Sequence, residues 1–377
     1  MPKLFLNDNE VSFQMGQTIL DVAKENGVDI PTLCHIPSLD AAGLCRICVV
    51  EADGNDDLLP ACATPAGEDM RIQTDSPQVR ATRKSILEMI VESGLHNCFA
   101  MDLPKERWSE DQIKATKQPW HDKNCPAHGD CRLQSLAVEY SVSMKNVGSL
   151  GEDRPLDDEH PMIVRDFSRC IGCGRCVQVC NEIQVNGAIP PPYGRREDYS
   201  GSRGWLPEAD YLNCTHCGEC VQACPVGALF EKKSYGLFNK REDAKKVRST
   251  CTYCGVGCQL ELNVIDGKIV RVTSDPEAPG PNRGSLCVKG RFGYDFINHP
   301  DRLKTPLIKE NGEFKEASWD EALDLVARRF SEIKENQGPD ALAFFTSARC
   351  SNEENYLMNK FARAVVGTNN IDHCARL

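Results

Sequence analysis

Cys170, Cys173, Cys176 and Cys180 are spaced C-x2-C-x2-C-x3-C, and Cys214, Cys217, Cys220 and Cys224 repeat that spacing, with Pro225 directly after. Three thiolates this close wrap one corner of a cubane iron–sulfur cluster, and the fourth of each run reaches across to the neighbouring cluster. The expected ligand sets are therefore Cys170, Cys173, Cys176 and Cys224 for one [4Fe-4S] cluster, and Cys214, Cys217, Cys220 and Cys180 for a second. Paired zinc knuckles also use C-x2-C, but they separate their pairs by a longer loop and need no third cysteine two residues on. Disulfides are disfavoured, because the spacings are too tight for ordinary bridges and nothing in the sequence suggests export.

Cysteine occurs 21 times in 377 residues, with no apolar leader after Met1 and no apolar run long enough to span a bilayer. The expectation is a cytoplasmic protein whose thiolates are held by metal in a reducing compartment. A net charge of -11 and the lack of any basic stripe exclude a nucleic-acid binder. The length allows two to four domains.

At the head, Lys3 to Phe13 reads as a hairpin turning at Asn7-Asp8-Asn9, followed by a helix from about Thr18 that stops at Gly27. Cys34, Cys45, Cys48 and Cys62 follow at C-x10-C-x2-C-x13-C among short strands such as Ile47 to Glu51. This motif resembles the β-grasp [2Fe-2S] domain at the head of the large iron–sulfur subunit of respiratory NADH dehydrogenase, of [FeFe]-hydrogenases and of NAD-linked formate dehydrogenases. All four cysteine positions match.

Ser76-Pro77 opens a second helix, with Val79, Ile86, Leu87 and Ile90 on its buried side and Gly94 at its end. Next come His96 and Cys98, then Cys125 and Cys131, the last followed by Arg132-Leu133-Gln134. The families just named place here a [4Fe-4S] site with one His and three Cys ligands, H-x3-C-x2-C-x5-C before a Leu-Gln pair. This chain matches the tail of that pattern, whereas a polar insert from about Phe99 to Asn124 separates its front part. The assignment is His96, Cys98, Cys125 and Cys131; His121 stands at the family's interval before Cys125 as the competing ligand, and His128 reads as a solvent-facing residue.

Residues 141–160 are polar and acidic around Pro155 and read as a surface linker. Pro190-Pro191-Pro192 and the charged run Arg195 to Asp198 interrupt the doubled cysteine module as a solvated loop. After Glu231 a basic, loop-like stretch leads to Cys251, Cys254, Cys258 and Cys287, with a hairpin at Leu260–Ile265, Asp266-Gly267 and Ile269–Val272. The strings C-T-Y-C-G-V-G-C and L-C-V-K-G-R resemble the [4Fe-4S] domain of the molybdopterin oxidoreductases, formate dehydrogenase in particular. That resemblance implies a cluster on these four cysteines, with Lys289 between cluster and pterin.

Ser318-Trp319-Asp320-Glu321 is a capping box opening a helix with Leu323, Val326, Ala327, Phe330 and Ile333 inward. A buried strand at Ala341–Thr346 and a helix at Asn352–Val366 then begin an α/β layer. Cys350 and Cys374, outside every cluster motif, are expected as small buried hydrophobes. The string from Asp372 to Leu377 resembles the formate dehydrogenase segment just before the selenocysteine or cysteine that ligates molybdenum or tungsten. The resemblance implies that these residues are the front of a longer selenoenzyme, read as ending at its UGA codon, and that by themselves they do not oxidise formate.

The expected fold class is thus an α+β multidomain iron–sulfur protein. Its domains are a β-grasp [2Fe-2S] domain over 1–78, a His-ligated [4Fe-4S] domain over 79–140, a linker over 141–160 and a two-[4Fe-4S] ferredoxin domain over 161–235. A molybdopterin oxidoreductase [4Fe-4S] domain follows over 245–303, then the start of a molybdopterin-binding α/β domain over 304–377. No G-x-G-x-x-G follows a predicted strand, so no nicotinamide or flavin site is expected here. The resemblance implies one [2Fe-2S] and four [4Fe-4S] clusters, a Mo- or W-bis(molybdopterin guanine dinucleotide) centre acting on formate and CO2, and a flavin-bearing partner subunit handling NAD(H). A small [2Fe-2S] subunit or ferredoxin is a further implied partner. The alternative is an electron-transfer-only subunit of an NADH dehydrogenase or bifurcating hydrogenase complex.

Overall fold

The structure is a computed structural model that describes residues 1–37, 39–94, 96, 127, 130–142, 156–190, 212–234 and 244–375. Two compact units divide the chain, Met1–Ala244 and Lys245–Leu377.

In the first unit, β1 (Lys3–Leu6) and β2 (Asn9–Ser12) form the expected hairpin. Asn7 and Asp8 turn it at φ 49° and 66°, a left-handed pair that Asn and Asp tolerate because their short side chains bond locally. Strands β3 (Val49–Ala52), β4 (Leu59–Pro60) and β5 (Arg71–Gln73) complete a mixed sheet ordered β2-β1-β5-β3-β4. Helix α1 (Ile19–Glu25) is closed by a Thr18–Asp21 capping box. Its Ile19, Leu20, Val22 and Ala23 pack with Leu4, Phe13, Val50 and Ile72, so the sheet wraps the helix.

Helix α2 (Pro77–Glu92) starts at Ser76, whose Oγ accepts from the Val79 amide. Its fully buried residues are Val79, Arg83, Leu87 and Val91, with Ile86 and Ile90 partly covered. Arg83 was not expected on that face. Its guanidinium donates to the Tyr140 hydroxyl and the Val49 carbonyl, both at 2.9 Å, which satisfies enough of the buried charge to keep it there. Tyr140 follows α3 (Arg132–Glu139), so this one side chain ties the β-sheet to both helices.

One core runs through Leu33, Ile47, Leu87, Leu133, Leu136, Cys170, Val226 and Ala228. Segments read as three domains therefore share a single interior. The stretch read as linker also contributes: β6 (Leu156–Asp157) pairs with β7 (Ile163–Asp166), which pairs with β8 (Leu229–Glu231). His160, between β6 and β7, is buried. Only its polar composition marked this segment as linker, and pairing with β7 overrides that. Arg195 to Asp198 lie outside the described residues.

In the second unit β9 (Lys245–Thr250), β10 (Gln259–Ile265) and β11 (Lys268–Thr273) make an antiparallel sheet, turned at Asp266 and Gly267. The stretch read as a basic loop is thus the edge strand β9. Every residue of β9 is exposed, and its lysines and arginine suit an edge. After α6 (Val288–Phe292) comes a second hairpin, β12 (Leu307–Glu310) and β13 (Glu313–Glu316).

Helix α7 (Trp319–Gln337) has the expected Ser318–Glu321 capping box. Its expected inner face is only half used, because Phe330 and Ile333 pack on Leu342, Phe344 and Ala362, whereas Leu323, Val326 and Ala327 are exposed. The reason is length. Nineteen helical residues span about 28 Å, while the three-residue strands β14 (Phe344–Thr346) and β15 (Ile371–His373) span about 10 Å. The two strands are parallel, Phe344 opposite Ile371, with α8 (Asn352–Lys360) in the crossover, so the α/β arrangement is as expected. Phe345, read as buried, is 80% exposed. Cys350 and Cys374 are also exposed rather than buried. Cys374 sits at the strand end, where its sulfur accepts from the Ala348 amide at 3.2 Å. Among the described residues no helix is long and apolar enough to cross a membrane.

Candidate metal centres

Four thiols meet beside the β-grasp sheet. Cys48 ends the loop entering β3 and Cys62 follows β4, which brings their sulfurs to 3.3 Å. The Cys45 amide donates to the Cys34 sulfur at 3.5 Å. The tight step between Cys45 and Cys48 is made by Arg46 in the left-handed region at φ 57°. The Cys34 side chain pulls the Cys45 thiol down to about 6, aided by the Ile47 and Leu33 amides. Cys48 is likewise lowered by Cys62, and Cys62 raised by Cys48, burial and the charges of Cys34 and Cys45. The four sulfurs thus act on one another as a single set.

Of the His-ligated site, His96 and Cys131 are described, and both are buried. Cys98, Cys125, His121 and His128 lie outside the described residues. The Cys131 sulfur accepts from the Gln134 amide at the start of α3, at 3.5 Å. Gly94 leaves no room for a side chain: a Cβ there would lie 2.6 Å from the Ser168 carbonyl oxygen and 3.0 Å from His96 Nε2.

The doubled motif folds as two copies of one turn. Gly172 and His216 stand at φ 65° and 56°, Gly174 and Gly218 both at 74°. Gly172 and His216 donate their amides to Cys170 and Cys214 sulfurs at 3.5 and 3.4 Å. Helices α4 (Arg175–Gln178) and α5 (Glu219–Ala223) begin one residue after the second glycine. Cys180 lies in a wide π-type turn at Val179–Ile183.

Electrostatics reveal which thiols face each other. Burial pushes Cys173 and Cys176 up, and the neighbours adding to it include Cys170 and Cys224. Burial also raises Cys214 and Cys220, with Cys217 and Cys180 adding to both. Cys180 thus lies among the neighbours of Cys214 and Cys220, and Cys224 among those of Cys173 and Cys176, with Cys220 also acting on Cys176. A cavity of about 40 Å³ is lined by Cys180, Cys214, Cys217 and Cys220 together with His160, Arg165 and Glu219.

None of the described cysteines is in a disulfide. Thiols crowded and desolvated in this way resist ionising together. A cationic iron–sulfur core supplies the positive charge that makes four thiolates stable, so the donor sets fit such groups.

Three charged or polar residues at these sites escaped the sequence reading. Arg175 acts on His35, next to Cys34, and its charge opposes the rise that burial imposes on Cys173 and Cys224. Arg165, buried and 3.3 Å from Asp157, lowers Cys220. His160 reaches Cys214, its Nε2 3.5 Å from the sulfur. Burial first, then His216 and Lys232, pull His160 down to about 4. Aligning the two cysteine runs residue by residue exposes His216 and Arg175 as departures, but no spacing signal marks His160 or Arg165.

In the second unit Cys251 ends β9, Cys258 precedes β10 and Cys287 caps α6. Burial raises Cys258, and Cys251, Cys254 and Cys287 add to it, so these four also stand together. Gly290 approaches them, a Cβ there lying 3.7 Å from Cys251 sulfur. Lys289, in the first turn of α6, is exposed.

Comparison with known families agrees with this layout. Residues 3–77 match the 2Fe-2S iron-sulfur cluster binding domain and residues 169–228 a 4Fe-4S dicluster domain. Residues 244–299 match the molybdopterin oxidoreductase Fe4S4 domain, and 302–377 the molybdopterin oxidoreductase family. The chain is an α+β iron–sulfur protein carrying molybdopterin oxidoreductase domains.

Over 98% of its length it is 32% identical to a protein of Bacillus subtilis named "Putative formate dehydrogenase YrhE", and equally so to one of like name in Staphylococcus aureus. The chain spans 39% of the length of each of these relatives. Among solved structures it is similar to a chain of an NAD+-reducing [NiFe]-hydrogenase in the H2-reduced state, at 27% identity and TM-score 0.50. That similarity covers 62% of this chain and 89% of the other.

Proposed function

We propose that this chain is the electron-transfer portion of a formate dehydrogenase, passing electrons between a Mo- or W-bis(molybdopterin guanine dinucleotide) centre acting on formate or CO2 and a flavin-bearing subunit that handles NAD(H). What supports this reading is that Cys170 and Cys224 of the doubled motif share one core with Cys45 and Ile47, in a chain whose residues 244–299 match the molybdopterin oxidoreductase Fe4S4 domain. Sulfur sets packed through one interior provide short steps for electrons. The ligands are one [2Fe-2S] set, Cys34, Cys45, Cys48 and Cys62, and four cubane sets that include His96, Cys98, Cys125 and Cys131, and Cys251, Cys254, Cys258 and Cys287.

The pterin-bound metal supplies the two-electron chemistry at carbon when bound. This chain's residues do the rest: they hold clusters, exclude water from them, and set their potentials through burial, amide hydrogen bonds and the charges of Arg165 and Arg175. Lys289 is the residue expected to face the pterin. The domain limits are proposed with this reading, except that residues 156–160 belong with the two-[4Fe-4S] domain that follows them.

Reconstituted chain is expected to bind about eighteen iron atoms, from one [2Fe-2S] and four cubanes; ten or fewer contradicts it. The second reading is an electron-transfer-only subunit, favoured by the likeness to the NAD+-reducing hydrogenase chain. Substituting Lys289 by Ala decides between them, because only the formate dehydrogenase reading expects slowed electron flow between pterin and clusters in the complete enzyme.

A further inference from the structure

His160 is 2% exposed and its ring is held from behind: Nδ1 accepts the amides of Met162 and Ile163, both at 3.1 Å. A nitrogen accepting two amides carries no proton, so the proton of the neutral ring is on Nε2. Nε2 faces two acceptors, the Cys214 sulfur at 3.5 Å and His216 Nδ1 at 2.9 Å. His216 Nδ1 therefore accepts, and the two imidazoles meet edge to face with centroids 4.8 Å apart. Charged groups acting on His160 include Asp157, Arg165 and Lys232, and Glu219 lines the same cavity.

His216 is out of keeping with its own repeat. The matching residue of the first half is Gly172, and both stand in the left-handed region. An imidazole strains that backbone where glycine does not, and strain retained beside a site points to a role there.

We propose that His160 is a positioning residue that donates its Nε2 hydrogen to the Cys214 sulfur and so raises the reduction potential of the second cubane, while His216 draws the same hydrogen away and lowers that potential. The inference rests on the cluster reading of Cys214, Cys217, Cys220 and Cys180. Reduction adds negative charge to the cluster sulfurs, and a hydrogen bond to them stabilises the reduced form more than the oxidised one. At the matching position of the first half Gly172 offers no side chain.

The test is an EPR-monitored redox titration of the reconstituted full chain. His160→Ala is expected to move the midpoint of one cubane to more negative potential, and His216→Gly to move the same midpoint to more positive potential, the other signals holding still. The double variant is expected to titrate like His160→Ala, because His216 acts only through the His160 hydrogen. Shifts of the same sign in the two single variants, or none with full iron content, overturn the inference. If His160→Ala fails to hold its cluster, His216→Gly alone decides, and absence of its positive shift overturns the inference. Wild-type chain lacking the iron of both ferredoxin-type cubanes overturns the cluster reading itself, and this inference with it.

Discussion

Cys170–Cys180 and Cys214–Cys224 run through the same turns, each with a glycine at φ 74° before a short helix and an amide at the third position donating to the first cysteine. They differ in what lies around that shared backbone. Where the first half has Gly172 and Arg175, the second has His216 and Glu219. Arg175 favours thiolate at Cys173 and Cys224, whereas Glu219 is buried and lines the cavity at Cys180, Cys214, Cys217 and Cys220 together with Arg165 and His160. One ligand geometry is thereby set in two electrostatic surroundings. The repeat offers two like sets of thiols, and the departures from it place different charges beside each set.

Exchange of the fourth ligands is the strongest feature of the comparison and the easiest to break. Cys224→Ala is expected to abolish the EPR signal that Cys173→Ala abolishes, and Cys180→Ala the signal lost in Cys217→Ala, each with a loss of about four iron atoms. Pairing of Cys224→Ala with Cys217→Ala instead would mean that each half closes on itself.

A smaller effect is expected from exchanging the charge. Arg175→Glu gives the first half the second's residue, and its cubane is expected to move to lower potential by about 2 kcal/mol per electron for each unit of charge at ~10 Å and an effective dielectric of ~20. Redox titration of the variant beside Arg175→Gln separates charge from packing, and equal midpoints in the two would remove the electrostatic account.

The smallest effect falls on the shared backbone. Gly174→Ala and Gly218→Ala each place a side chain at φ 74°, and each is expected to cost about 1 kcal/mol, read as a lowered midpoint of thermal unfolding. Gly174→Ala is expected to cost more of the two if Leu44 cannot yield, since the new Cβ would lie 3.2 Å from its methyl. No loss in either variant would mean that the left-handed turns are not needed.

Local signals were read well where they are strong. Asn7-Asp8 and Asp266-Gly267 require positive φ and form the expected hairpins, and Thr18, Ser76 and Ser318 cap helices because their side-chain oxygens meet the amides left unpaired at a helix start. Reading failed where burial depends on distant partners. The inward face expected of α7 covers more length than the two-stranded sheet beside it, and an exposed edge strand such as β9 has no apolar alternation to set it apart from a loop.

What the sequence determined by itself is the chemistry on offer: cysteine spacing is set by covalent reach, so a run with two or three residues between thiols specifies a cluster corner whatever surrounds it. Tertiary structure alone decided what surrounds it. Arg83 on the core face of α2, Arg165 and His160 at the cavity, and Arg175 acting on Cys173 and Cys224 come from segments whose local patterns name no partner. Their roles arise from long-range packing, which places a charge or an N–H beside a sulfur and makes each costly to bury without that neighbour.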